Sequence, residues 1–221
     1  MLIFMLRRLN LFFFTMMLLT ILSFSLSYLF PGDQVLNISG QINATPEQKL
    51  SLEENYASNS SLIYQYWAYV VHLFQGDFGQ SMTTNLPVAD EILSRLPATM
   101  ELTFVALLIA MAIGIPIGFI AAIYHRKTVD NVILSFSMLG YSIPVFWLAL
   151  LAILVFSIQL GWLPSAGQMS LLYSIDQVTG VLLLDILLSD SEYKWQAFQD
   201  ATLHIILPAT VVAIAPATIF V

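Results

Sequence analysis

The 221-residue sequence contains no cysteine, which excludes a disulfide framework, thiolate metal sites and thiol catalysis. Charge is scarce too: charged residues make up 10% of the chain, whereas an ordinary soluble domain carries about 25%. Seven Lys and Arg against fourteen Asp and Glu give a net charge of -7, so no basic track exists to neutralise phosphates, and nucleic acid is excluded as a partner. The three histidines, His72, His125 and His204, lie far apart in the sequence. No Gly-x-x-x-x-Gly-Lys-[Ser/Thr], Gly-x-Ser-x-Gly or His-Glu-x-x-His string occurs, which removes a P-loop, a hydrolase elbow and a zinc-protease helix. A catalytic role is not expected, and neither is a cofactor.

What the sequence does have is apolar surface. Hydrophobic residues make up 58% and the mean hydropathy is +0.83. A chain with so few polar groups must face a second apolar phase, and a bilayer supplies it. The expected fold class is therefore an all-α integral membrane protein, a polytopic helix bundle. A span needs about 20 mostly apolar residues. Four runs qualify: 9–30, 100–123, 132–158 and 203–221. The first competes with a signal peptide, but its length and its poor small-x-small site, Ser25-Leu26-Ser27, favour a retained helix.

Cations near span ends are held on the cytoplasmic side. Arg7 and Arg8 precede the first run, and Arg126 and Lys127 sit in the short loop between the second and third. Four spans in series put both segments on one side, so the N-terminus and the 124–131 loop are expected in the cytoplasm, with membrane lipid around the spans. Residues 1–98 then comprise the N-terminal span and an outer segment, and residues 99–221 a core with a second outer segment, 159–202. Within the first outer segment, Gln41 to Ser61 reads as a loop after the Pro31-Gly32-Asp33 break, while Leu62 to Phe74 is short and rich in Tyr and Trp. The latter suits an interfacial helix or one packed on the membrane core. In the second, the apolar octet Val181 to Leu188, interrupted by Asp185, predicts a short helix. The tripeptides at Asn37, Asn43 and Asn59 match a glycosylation pattern that is common by chance.

Gly114, Pro116 and Gly118 in the second run, and Gly140 and Pro144 in the third, are candidate hinge or close-packing positions, because glycine admits close helix approach and proline kinks. Pro208 and Pro216 soften the fourth run in the same way. Tyr141, Ser142 and Trp147 are candidates to face a path through the bundle, with ordinary helix packing as the alternative for each. Glu101 lies just inside the outer end of the second run, where it is expected to snorkel to water rather than relay ions.

Several strings, in order, resemble one family, the permease subunits of peptide-type (dipeptide and oligopeptide) ABC importers. They are Gly76-Asp77-Phe78-Gly79-Gln80-Ser81, Pro87-Val88 leading to Arg95-Leu96-Pro97-Ala98-Thr99-Met100-Glu101-Leu102, and Gly114-Ile115-Pro116-Ile117-Gly118. Further on come Ser142-Ile143-Pro144-Val145-Phe146-Trp147-Leu148-Ala149-Leu150 and Leu160-Gly161-Trp162-Leu163-Pro164-Ser165-Ala166-Gly167. Within the family, the opening Met1 to Arg8 and Leu187 to Ser191 are most similar to the Sap branch, associated with antimicrobial-peptide sensitivity. The resemblance implies a six-span type I permease of the bacterial inner membrane. It also implies a homologous permease partner, two ABC ATPase subunits and a periplasmic solute-binding protein. In that family a cytoplasmic loop after span four, with a Glu-Ala-Ala signature, docks in the ATPase. No such segment occurs here, so the expectation is a fragment, four spans of six, unable to drive ATP-dependent transport alone.

Two other classes stay open at the level of the sequence. An ion-coupled secondary transporter would require buried carboxylates or paired broken helices. A membrane scaffold would require no ATP.

Overall fold

The computed structural model describes residues 2–29, 34–41, 44–56, 61–81 and 83–220. Phe30, the Pro31-Gly32-Asp33 break, Asn43, Asn59 and Val221 lie outside them. The chain divides into two compact units, Met1–Ser94 and Arg95–Val221. Every named element among the described residues is helical.

The first unit is built on α1, Leu2–Leu29, an apolar run with no proline or glycine to stop it. Its side chains are almost all exposed, Phe13 at 65% for example, as a lipid-facing helix requires. Helix α4, Leu62–Phe74, lays an aromatic face on α1. The Thr20 and Tyr66 hydroxyls are 2.8 Å apart, and the Phe24 ring lies 5.6 Å from that of Tyr66 and 5.8 Å from that of Tyr69. Between them come α2, Gln34–Ser39, and α3, Pro46–Asn55.

Helix α3 corrects the reading of Gln41 to Ser61 as loop. The Thr45 hydroxyl accepts from the Gln48 N–H, the Gln48 side chain accepts from the Thr45 N–H, and Pro46 opens the helix. This is a complete capping box with proline at the first helical position. Polarity hid it, because no apolar stripe marks the helix.

The second unit contains most of α5, Val88–Ile123, and then α6, Thr128–Ser142. Helix α7, Val145–Ala152, continues as a π-helical stretch, Ile153–Gln159; α8, Leu182–Leu188, and α9, Lys194–Ala217, complete it. Among the described residues three helices, within α1, α5 and α9, are long and apolar enough to cross a membrane, and the α6 and α7 pair makes a fourth if counted as one span.

The run 132–158 is not one straight helix. It bends by 96° between Ser142 and Val145. Ile143 is extended, at ψ 128°, because the ring of Pro144 clashes with a helical residue before it, and Pro144 brings no N–H to continue the ladder.

The core of this unit is a seam of small side chains. Ala106 and Ala110 of α5 meet Ala209 and Ala213 of α9, each at most 2% exposed. Spacing of four puts each set on one helix face, extended by Gly114 and Ala217, and lets the backbones approach closely. A second cluster joins Ile186 of α8 to Ala197 and Ala201 of α9.

Candidate functional site

Three buried or half-buried carboxylates organise the segment between α7 and α9. Glu101, on α5, is 9% exposed, and its two oxygens accept the N–H groups of Leu182 at 3.1 Å and Leu183 at 2.7 Å. These are the first two residues of α8, whose N–H groups have no partner within the helix. Glu101 therefore does not snorkel to water as expected. The open amides of α8 offer its carboxylate two charge-assisted hydrogen bonds inside the fold.

Asp185, 2% exposed, interrupts the apolar octet and secures its start. One oxygen accepts from the Thr179 hydroxyl at 2.6 Å and N–H at 2.7 Å, and the other from the Gly180 N–H at 3.0 Å. The Thr179 hydroxyl first, and the neighbouring amides with it, hold the Asp185 carboxyl below the usual carboxylate range against the opposing effect of burial. Gly180 has φ +78°, and a Cβ there would fall 2.9 Å from Cγ of Pro97, so only glycine fits both the backbone and the approach to α5. Asp200, on α9, accepts the Ser170 N–H at 2.6 Å and hydroxyl at 2.7 Å. The Nδ1–H of His204 donates to the Asp200 carbonyl at 2.8 Å. A cavity of about 270 Å³ lies among these groups, lined by Thr99, Glu101, Gln168 and His204 with apolar neighbours.

A second, almost wholly apolar crevice of about 420 Å³ separates α5, α6 and α9. Gly114 and Gly140 both line it. A Cβ at Gly114 would sit 2.7 Å from the Ala217 carbonyl oxygen, and one at Gly140 would sit 3.2 Å from Cγ2 of Ile214. Pro116 is exposed and Gly118 half-buried, both outside that lining. Tyr141 and Ser142 border the end of α9 at Thr218 and Ile219, and Pro144 marks the bend beside Val211 and Ile214. The Ser142 hydroxyl donates to the Met138 carbonyl at 2.7 Å, within its own helix. Trp147, 48% exposed, does not join the Tyr141 and Ser142 wall.

Arg7 and Arg8 are exposed on α1, with the Arg8 guanidinium 4.7 Å above the Phe4 ring. Arg126 turns the loop at φ +63°, and its N–H donates to the Asp130 carboxylate at 2.7 Å. Lys127 precedes α6 with its ammonium 5.5 Å from the Tyr124 ring. The sequence reading missed the alanine face of α9, which its four-residue spacing spells out. It also missed the roles of Asp185 and Asp200, whose partners no spacing reveals. Among the described residues no group of three His, Asp or Glu side chains is placed to hold a metal ion.

Among the described residues, three helices of spanning length and a bent pair that makes a fourth if counted as one span define a polytopic helical membrane protein. Residues 114–221 match the family described as binding-protein-dependent transport system inner membrane component, and residues 1–103 match its N-terminal region. The chain belongs to this family of multi-pass inner-membrane permease subunits. It is 40% identical over 216 residues to the di/tripeptide transport system permease protein DppB of Pseudomonas aeruginosa, covering 98% of this chain and 63% of that one. It is 40% identical over 222 residues to the putrescine export system permease protein SapB of Escherichia coli K12, covering 99% of this chain and 61% of that one. The dipeptide transport system permease protein DppB of the same strain is 33% identical over 224 residues, covering 100% and 65%. The chain thus spans just under two thirds of the length of these relatives.

Proposed function

We propose that this chain contributes the membrane path of a binding-protein-dependent ABC importer that moves peptides, of the oligopeptide or antimicrobial class, across the bacterial inner membrane. The observation that carries the reading is near-complete coverage of the chain by permeases whose names specify dipeptide or tripeptide transport. Its partners are a homologous permease subunit, two ABC ATPase subunits that hydrolyse the ATP, and a periplasmic solute-binding protein. The N-terminus and the Arg126 and Lys127 loop face the cytoplasm, since both carry the cations that are retained there.

Transport requires two arrangements of one bundle, each favoured by a different ligand. The α5 and α9 seam, closed by Gly114 against Ala217, is the rigid part; the bend at Pro144 and the crevice beside Gly140 supply the part that moves. Tyr141 and Ser142 face the path. Pairing of both Glu101 oxygens with backbone amides leaves that carboxylate committed to structure and argues against an ion relay.

The test is a chimera in which residues 1–221 replace the matching part of the E. coli dipeptide permease, expressed with that system's other subunits. ATP-dependent dipeptide uptake supports the reading. A chimera that inserts and assembles but takes up a dipeptide only along a proton gradient overturns it.

A further inference from the structure

The first unit holds a cavity that the transport reading leaves unused. It encloses about 350 Å³ between α1, α2 and α4, and four aromatic side chains, Phe24, Tyr56, Tyr69 and Phe78, contribute to its walls. Among the described residues, Asp77 is the one acidic side chain that joins them, and no Lys or Arg lines it. The volume is near the lower end for ligand pockets, which suits a headgroup or small amine and not an extended peptide.

Its polar groups are arranged to receive a donor. Asp77 is fixed by the Gly79 N–H, 3.0 Å from Oδ1, and by His72 Nδ1, 3.1 Å from Oδ2. Each oxygen keeps a further lone pair. His72 also stacks on Tyr56 at 4.6 Å, which fixes that ring. Tyr56 is 5% exposed, yet among the described residues its hydroxyl has no hydrogen-bond partner. Every fully sealed side-chain oxygen among the described residues is paired, so this hydroxyl keeps some accessible surface, and Tyr56 is one of the residues lining the cavity.

Aromatic rings carry negative potential on their faces and attract organic cations, most strongly where water is excluded. Aromatic walls with a single carboxylate and no basic side chain therefore select a positive ligand over a neutral or anionic one. We infer that this cavity binds an alkylammonium group, presented by a phospholipid headgroup or by a free amine. The inference does not depend on the peptide-transport reading, because it rests on the first unit alone.

The full chain, in nanodiscs of phosphatidylglycerol alone or with phosphatidylethanolamine, is titrated with tetramethylammonium and, as the neutral isostere, tert-butanol, read by saturation-transfer NMR. The expected result in phosphatidylglycerol is saturable binding of the cation, at least about tenfold tighter than tert-butanol and weakened about tenfold by Asp77→Asn. Phe78→Leu, at a 49% exposed position that leaves the fold intact, weakens it severalfold. Weaker cation binding in phosphatidylethanolamine supports the site with a lipid headgroup as occupant; equal binding in both supports it with a free amine as occupant. The inference is overturned by no saturable binding in either lipid, by equal binding of the neutral isostere, or by affinity unchanged in both variants.

Discussion

The carboxylate of Glu101 and the backbone N–H of Leu183 are 2.7 Å apart across 82 positions of sequence. A spanning helix thereby caps a seven-residue helix that has no capping side chain of its own at Val181. The contact decides where the segment between α7 and α9 sits, and it is the first target for mutation.

Glu101→Ala leaves two buried N–H groups without an acceptor, at a cost of about 1–3 kcal/mol. Glu101→Gln keeps one acceptor oxygen and loses less. Thermal unfolding in detergent should rank the chains wild type, Gln, Ala, with faster proteolysis within 167–190 in the Ala variant. Identical midpoints for all three would show that the capping contributes nothing.

Gly114 and Gly140 line the same crevice, but substitution should affect them differently. A methyl group at Gly114 meets a carbonyl oxygen at 2.7 Å, and backbone cannot step aside. Gly114→Ala should therefore destabilise by about 1–3 kcal/mol, outweighing the roughly 1 kcal/mol gained in helix propensity. At Gly140 the neighbour is a side-chain methyl, Cγ2 of Ile214, at 3.2 Å, and a shift of a few tenths of an ångström clears it. Gly140→Ala should be neutral or slightly stabilising, and calorimetry on both variants separates the cases.

Asp185 predicts acid sensitivity. Its folded carboxyl titrates below the ordinary value of 3.8, so its stabilising effect is whole above pH 3.8 and is lost as pH falls through the lower, folded value. Hydrogen exchange of Thr179 and Gly180 should accelerate over that range in wild type. Asp185→Asn should already exchange fast at neutral pH and show no such transition.

Tyr56 predicts the opposite limb. Burial first, then the Asp77 charge, pushes its phenol up to about 12, so stability present below pH 10 is lost as pH rises towards 12. Ultraviolet titration should show a tyrosine ionising near pH 12 that disappears in Tyr56→Phe.

The absence of cysteine makes topology directly measurable. Met5→Cys and Thr128→Cys should react with an impermeant maleimide only after the inner face is opened. Leu171→Cys, at a fully exposed position, should react from outside. Reaction of Thr128→Cys in intact spheroplasts would reverse the proposed orientation.

Much of this protein was decided by composition and spacing. Scarce charge and long apolar runs required a helical membrane bundle, because backbone polar groups in lipid must be satisfied internally. Pro144 announced a break in the third run, and the alanines of α9 repeat at the interval that makes one tight face. Helix α3 was equally legible in its capping box once apolar periodicity was set aside.

What only the tertiary structure decided is the set of long-range pairings. Nothing near Glu101 in the sequence names Leu182 and Leu183 as its partners, and nothing near Asp200 names Ser170. Nor does the string Gly76 to Ser81 disclose that Asp77 joins rings from α1 and α4 around one cavity. A carboxylate takes whichever open donors the folded chain brings within about 3 Å, so its role follows from packing and not from its neighbours in sequence. Hydrophobicity set how the chain meets lipid; the search of polar groups for partners set where its irregular segments came to rest.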